Sequence, residues 1–469
     1  MKNIKVITIA VICCIFIMPF VKFDFEEGAI SKIDNRELAS NPFKADYSDP
    51  KQDIVVNIEN YLTDRLGFRN EMINAYTIFN DKVFGIMEHP SYSYGKDGYV
   101  FGMGITCTEK YTEYHESFAD AILRMQTYCE ERDVPFVYVF NPAKPAVLQE
   151  YLADGINYNR EWVDEFIEAL EKRNINYVDN TDMLREKMKS GEMVFNKEFD
   201  ANHWNKLGAY YGTNEVLKRL KEEMPNVHVN SMDEMDVSTK KETTLLVSEF
   251  PIDEDTPEII AKYEADYSTT DDYSDEMEID EQKNTFYYYK NDFRKKENAP
   301  KALVFQGSYM NVYGYDFFAN SFSEYIYIHD YHNVFNLDYY FNIFKPDCVV
   351  FEMAEYTFGD AYFDHEKMNQ MNLNIPLDNA LSNYEEVSCK KVPCESINVS
   401  KGKTLTKIIW KTDEEVDSAW AYINDEYDMR KCEDGYEVTV HTTDYEENKD
   451  SIIIYTLLNE EIVSNKVML

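Results

Sequence analysis

Two short stretches of this chain carry side chains suited to acyl chemistry. In Phe199-Asp200-Ala201-Asn202-His203-Trp204-Asn205-Lys206 an aspartate precedes a histidine by three residues. A carboxylate so placed can accept the imidazole Nδ1–H, fix the tautomer and leave Nε2 free to take a proton. The spacing alone fits an ordinary polar pair equally well. In Phe305-Gln306-Gly307-Ser308-Tyr309 an apolar run ends in Gly-Ser and passes into a helix-like stretch. Ser308 then stands at the C-terminal end of a strand, where open α/β sheets build their sites, and the N–H groups of the following helix start suit an oxyanion. The same position is also common for a serine that merely caps a helix. Read together, Ser308 is the nucleophile, His203 its base and Asp200 the group that orients the base.

The elements that must bring these residues together read as α/β. Pro135-Phe136-Val137-Tyr138-Val139-Phe140 is a continuous apolar run, as in a strand buried on both faces, and follows a helix near 113–131. Helix 160–173 and strand 175–179 repeat the pattern, and Ala302–Phe305, Tyr325–Ile328 and Cys348–Phe351 are further buried-strand runs. Tyr94-Gly95-Lys96-Asp97-Gly98-Tyr99-Val100-Phe101 reads as strand, Asp-Gly turn and strand. The expected organisation is a helical region over 26–88, an α/β domain in two parts (89–228 and 299–375) and, between them, an acidic insert over 229–298. That insert is crowded with Asp, Glu, Ser and Thr, and it is expected to be largely irregular and dispensable for folding. From 376 to 469, short alternating stretches predict a small all-β sandwich.

Lys2 and Lys5 precede an apolar run, Val6 to Val21, broken only by Thr8 and Pro19. A positive flank before an apolar run is an export signal, and without a small-residue cleavage site downstream residues 1–25 read as an uncleaved signal anchor. The rest of the chain is then extracytoplasmic, or secreted if cleavage occurs. With 47 basic and 87 acidic side chains in 469 residues, the formal charge is −40, which excludes a nucleic-acid partner. Hydrophobic residues make up 44%, enough to bury a core, and 37 tyrosines supply amphipathic surface suited to sugar or protein contacts. Cys107, Cys129, Cys348, Cys389, Cys394 and Cys432 form no Cys-x-x-Cys pair; Cys389 and Cys394 either close a small disulfide loop or, like the others, stay free.

Several segments in fixed order resemble the SGNH-hydrolase-like polysaccharide O-acetyltransferases of the AlgJ/AlgX type and the related DHHW-motif proteins. They are Asn35-Arg36-Glu37-Leu38-Ala39, Asp64-Arg65-Leu66-Gly67-Phe68-Arg69, Gly95-Lys96-Asp97-Gly98-Tyr99, Pro142-Ala143-Lys144, His203-Trp204-Asn205-Lys206-Leu207-Gly208-Ala209, Gly307-Ser308-Tyr309 and Pro346-Asp347-Cys348-Val349. The resemblance spans roughly 32–358 and implies an SGNH-like parallel sheet flanked by helices. It implies a membrane-anchored O-acetyltransferase that works on a cell-surface or secreted polysaccharide through an acyl-serine, with acetyl supplied by a membrane-bound O-acyltransferase partner. Two positions depart from the family pattern: Ala201 replaces the usual Asp two residues before the histidine, leaving Asp200, and Gln306-Gly307-Ser308 replaces Gly-Asp-Ser.

Gly307, Tyr309, Trp204 and His332 are the candidates for substrate or oxyanion contacts, Trp204 being expected chiefly to pack beneath the imidazole. His329, Asp330 and His332 follow one strand run and Glu355 another. A metal would need a third ligand beside the histidines, and neither metal nor cofactor is expected. Asn202 lies near enough to His203 to act as a substitute acceptor, so Asp200→Asn is expected to cost less than Ser308→Ala. An esterase with the same triad is one alternative. A catalytically silent glycan-binding or assembly protein is the other, favoured by the altered Gly-Asp-Ser and the C-terminal β domain.

Overall fold

The computed structural model describes residues 2–467 except 32, 34–35, 46, 48–52, 103–108, 247, 280–284, 330, 394–395 and 450–451. Asn35, Cys107, Asp330 and Cys394, named above, lie outside the described residues. Helix α1 (Lys2–Val21) contains an 18-residue stretch, Ile4–Val21, of mean hydropathy 2.7 with none of it buried, long and apolar enough to cross a membrane. The helical spacing over 54–84 is divided between α2 (Ile54–Arg65) and α3 (Arg69–Phe84). At the break the chain passes so close to Lys22 that a Cβ on Gly67 would stand 2.4 Å from that of Lys22, and Phe68 takes φ 65°. Here the segments containing Arg36 and Asp64 meet, with both Arg36 guanidinium nitrogens 2.6 Å from the Asp64 carboxylate and the Ala39 N–H donating to it at 3.0 Å. Their role is to clamp the N-terminal region.

Strands β1 (Tyr92–Tyr94) and β2 (Val100–Gly102) pair antiparallel across the turn in which Asp97 and Gly98 have φ of 56° and 79°, the left-handed values such a turn requires. The main sheet is built from β3 (Phe136–Asn141) and β4 (Tyr177–Asp179). After the antiparallel hairpin of β5 (Met235–Thr244) and β6 (Pro251–Ala261), it is completed by β7 (Phe286–Lys290), β8 (Lys301–Gln306), β9 (Glu324–His329) and β10 (Cys348–Ala354). Its order is β4-β3-β10-β8-β9-β7, with every neighbour parallel except the β7 edge. β3, β8 and β10 are buried along nearly their whole length, which is why they read as continuous apolar runs. Parallel strands leave their carboxyl ends together, so the loops after β3, β8 and β10 converge.

Among its described residues, the acidic segment 229–298 is largely regular. It forms the β5–β6 hairpin and contributes β7 to the sheet, and two of its carboxylates hold backbone donors of other segments. Glu254 accepts the N–H groups of Lys197, Glu198 and Phe199 at 2.6–2.8 Å, and Glu276 those of Lys403, Thr404 and Leu405 at 2.7–2.9 Å. Charge density misled because these carboxylates cap backbone donors of neighbouring segments instead of facing only water. Because it closes a sheet edge and holds two loops, its deletion is expected to lower the thermal transition, which a melting curve of the deleted chain would check.

The C-terminal all-β region is one eight-stranded sheet folded over on itself rather than two separate sheets. The fold occurs at Glu426–Cys432, whose first half pairs with Ser418–Tyr422 and whose second half pairs with Gly435–His441. It docks on the α/β core through Arg132 and Tyr128, both bonded to the buried Asp428. Cys129 and Cys348 are buried free thiols, and burial pushes both far above the usual thiol range.

Candidate active site

Gln306 ends β8, and the chain enters a helix at Ser308 that runs as a π-turn over Met310–Gly314, a feature frequent at functional sites. The Gly307 N–H donates to Glu352 Oε2 of the neighbouring strand β10 at 2.9 Å. Asn141 of β3 donates to Glu352 Oε1 at 2.7 Å. Gln306 Nε2 donates to Asn311 Oδ1 at 2.8 Å, and its side-chain Oε1 accepts from the Tyr325 hydroxyl. The strand-end loop is thus held by a carboxylate from across the sheet instead of one beside the serine.

Asp200 belongs to a loop pinned from below by Lys144. The buried ammonium donates to the carbonyls of Val100 at 2.8 Å and Asp200 at 3.2 Å. Burial pulls Lys144 down to about 8, against the attraction of Asp200 and Glu254. With φ 56° Asp200 turns its carboxylate back under the imidazole. That carboxylate accepts His203 Nδ1–H at 2.9 Å, the N–H groups of His203 and Asn202 at 3.1 and 3.2 Å, and the Tyr313 hydroxyl at 2.8 Å. Its side chain is 1% exposed. Burial pushes its pKa up, but the imidazole and these donors outweigh burial and hold it below the usual carboxylate range. Burial and the Asp200 charge push the Tyr313 phenol far up, so it stays a donor.

On the other ring nitrogen, His203 Nε2 stands 2.8 Å from Ser308 Oγ, across 105 residues of sequence. The Tyr356 hydroxyl completes a triangle, 2.8 Å from Ser308 Oγ and 3.1 Å from His203 Nε2. Ser308, His203 and Asp200 are therefore brought into one hydrogen-bonded line, within the range expected of nucleophile, base and orienter. Sequence reasoning missed Tyr313, Tyr356 and Glu352. A usable signal existed only for Tyr356, which follows the carboxyl end of β10.

The remaining candidates are distributed differently. Trp204 is buried beside the imidazole loop, donates Nε1–H to the Tyr309 carbonyl at 3.1 Å and packs against Gly212, where a Cβ would stand 2.2 Å from the indole. Its ring offers no face to a substrate. Tyr309 is also fully buried, its hydroxyl at 2.8 Å from the carbonyls of both Pro142 and Asn202, so it ties the nucleophile helix to the other two loops. The Gly307 N–H is taken by Glu352 and is not a spare oxyanion donor. His332 lines a separate cleft of about 730 Å³ shared with the C-terminal sheet, beside Lys367 at 3.1 Å. Glu355 is buried, bonded to Arg160 and the Ala143 N–H at 2.9 and 3.0 Å, and supports the loop after β3.

Glu352 carries a stability prediction. Burial raises its carboxyl to about 7 against the pull of Gly307 N–H, Asn141 and His203. The folded state thus holds a proton that the unfolded chain, with its ordinary value near 4.5, gives up. Stability from this group is full below about pH 4.5 and falls as pH rises through 7. Urea melts at pH 5 and pH 8 should show wild type losing on the order of 2–3 kcal/mol relative to Glu352→Gln. An unchanged gap between the two proteins would sink this account.

Residues 94–288 match the family model described as the SGNH hydrolase-like domain of the acetyltransferase AlgX, a span that includes Asp200 and His203 and ends before Ser308. No curated protein sequence matches the chain. Similar solved structures include the O-acetyltransferase domain of Pseudomonas putida AlgJ, at 14% identity over 60% of this chain and 99% of that one, TM-score 0.40. A DHHW family protein from Eubacterium siraeum aligns at 17% identity over 62% and 98%, TM-score 0.41. Pseudomonas aeruginosa AlgX aligns at 14% identity over 74% and 86%, TM-score 0.39. Over residues 94–288, somewhat less than half of its length, this chain is similar to the SGNH hydrolase-like domain of the acetyltransferase AlgX.

Proposed function

We propose that this protein is an extracytoplasmic O-acetyltransferase, held at the membrane by α1, that moves acetyl groups onto hydroxyls of a cell-surface or secreted polysaccharide. The observation that carries this reading is the 2.8 Å contact between His203 Nε2 and a partly exposed Ser308 Oγ, backed by a buried Asp200 on Nδ1. Ser308 Oγ attacks the donor carbonyl while its proton passes to Nε2. The Asp200 carboxylate stabilises the resulting imidazolium. The Tyr356 hydroxyl is positioned to donate to the oxygen that gains charge. Imidazolium then protonates the leaving group, and an acetyl-serine remains. A sugar hydroxyl next gives its proton to Nε2 and attacks the ester, which returns Ser308 and releases the acetylated glycan. The acetyl donor in this reading is supplied by a membrane-bound O-acyltransferase partner.

The test uses the full chain in detergent with an activated acetyl ester and oligosaccharide acceptors. Acetylated oligosaccharide, measured by mass, is expected to form faster than free acetate. Free acetate alone would make the protein an esterase. Neither product, with oligosaccharide still bound, would make it a silent glycan binder.

A further inference from the structure

A groove of about 830 Å³ opens beside the helix that carries Ser308. Its floor is a cluster of tyrosines from the sheet edge. β7 buries Phe286 and Tyr288 on one face, and the period-two alternation turns Tyr287 and Tyr289 to the other. Tyr327 and Tyr325 of β9 stand opposite them in register, at ring distances of 5.4 and 5.6 Å. Tyr315 stacks on Tyr289 at 6.1 Å and 25°, and Tyr267, from the chain just after β6, meets Tyr287 at 6.2 Å. Tyr267 is 52% exposed and Tyr287 36%. The near wall includes Asn311 and Val312, three and four residues beyond Ser308, so the groove begins about one helical turn from the nucleophile.

Aromatic faces that keep hydroxyl edges in water suit a pyranose, whose C–H face stacks on a ring while its hydroxyls bond to polar neighbours. The charges narrow the class. Of the ionisable groups lining the groove other than its tyrosines, Lys206 is paired with Asp316 at 2.9 Å, and the Lys262 ammonium is bonded to the Asp233 carbonyl at 2.8 Å. A neutral carbonyl leaves the Lys262 charge in place, so with Glu258 and Glu264 the lining carries one negative charge in excess, in a chain of formal charge −40. A glycan carrying a carboxylate on every ring is repelled there.

We propose that this groove binds the acceptor and selects a non-acidic glycan, one without carboxylate or sulfate groups. The inference rests on the acyl-transfer reading for the acceptor's role, while binding itself is measurable without turnover. Calorimetry on the full-length Ser308→Ala protein in detergent, with hexamers of glucose, mannose, N-acetylglucosamine and galacturonic acid, provides the test. At least one neutral hexamer is expected to bind, and more tightly than the galacturonate hexamer. Joint Tyr267→Ala and Tyr287→Ala changes are expected to weaken that binding about tenfold, whereas phenylalanine at both positions, which keeps the rings, stays within about twofold of the parent. Glu264→Lys is expected to raise affinity for the galacturonate hexamer. Absence of millimolar binding by every neutral hexamer, preference for galacturonate, or unchanged binding in the alanine variants would each overturn the proposal. If the alanine variants fail to fold, the phenylalanine and Glu264→Lys proteins decide it: a large loss with phenylalanine, or no gain with lysine, overturns it. Labelling of Ser308 by a serine-directed probe in the wild-type chain reports separately on the catalytic reading. A labelled serine without glycan binding removes the groove alone, and glycan binding without labelling removes the acyl-transfer reading alone.

Discussion

Ser308→Ala is expected to lower turnover of an activated acetyl ester by roughly 10⁴–10⁶ and to abolish covalent labelling by a serine-directed probe. The oxygen it removes forms the bond to the acyl group in the proposed cycle, and its neighbours cannot replace it. Tyr356 holds its hydroxyl 2.8 Å away, yet a phenol stays protonated at neutral pH and is a poor nucleophile. The substitution should leave the fold intact, because Oγ is partly exposed and its recorded partners are the His203 ring and the Tyr356 hydroxyl. Steady-state kinetics and mass mapping of the labelled peptide check the two halves. Wild-type rates in the alanine protein would remove Ser308 from the nucleophile's role.

Asp200→Asn comes second, with an expected loss of about 10⁴ in kcat at neutral pH. The sequence suggested a smaller cost, with Asn202 standing in as acceptor, but the structure argues otherwise. Asn202 donates its own N–H to Asp200, and its side chain packs against Gly102, where a Cβ would lie 2.2 Å from Oδ1. Four donors converge on the Asp200 carboxylate: His203 Nδ1–H, two backbone N–H groups and the Tyr313 hydroxyl. An amide has one accepting oxygen and turns an NH₂ group toward at least one of these donors, so the imidazole loses its fixed tautomer. Asparagine is the right probe because it tolerates the left-handed backbone at φ 56°, where alanine would add strain to the loop. Rates within tenfold of wild type would mean that the carboxylate does not orient the base.

Local and global information divide cleanly across this chain. The apolar runs at Phe136–Phe140, Ala302–Phe305 and Cys348–Phe351 announce buried parallel strands, because burial on both faces removes polar residues from consecutive positions. The apolar N-terminal run, the turn at Asp97-Gly98 and the approach of Asp200 to His203 are equally local, written within a few residues. For the same reason the sequence identified Ser308 as standing at a strand end. What it could not contain is the order β4-β3-β10-β8-β9-β7, and that order decides the rest. Placing β10 beside β8 lets Glu352 hold the Gly307 N–H, and delivers Tyr356 to the serine. Pairing β7 with β9 gathers tyrosines from distant segments onto one face.

The acidic segment marks the boundary most sharply. Composition determined its charge but not its order, since a carboxylate counts as solvated until a backbone N–H elsewhere in the fold is found to need it. Glu254 meets three such donors on the loop that carries Asp200, and Glu276 meets three at the edge of the C-terminal sheet. The sequence determined which strands, helices and reactive side chains exist, because those depend on neighbours along the chain. Only the tertiary structure decided which carboxylates and phenols surround the serine, because hydrogen bonds between segments a hundred or more residues apart depend on how the sheet is ordered and packed.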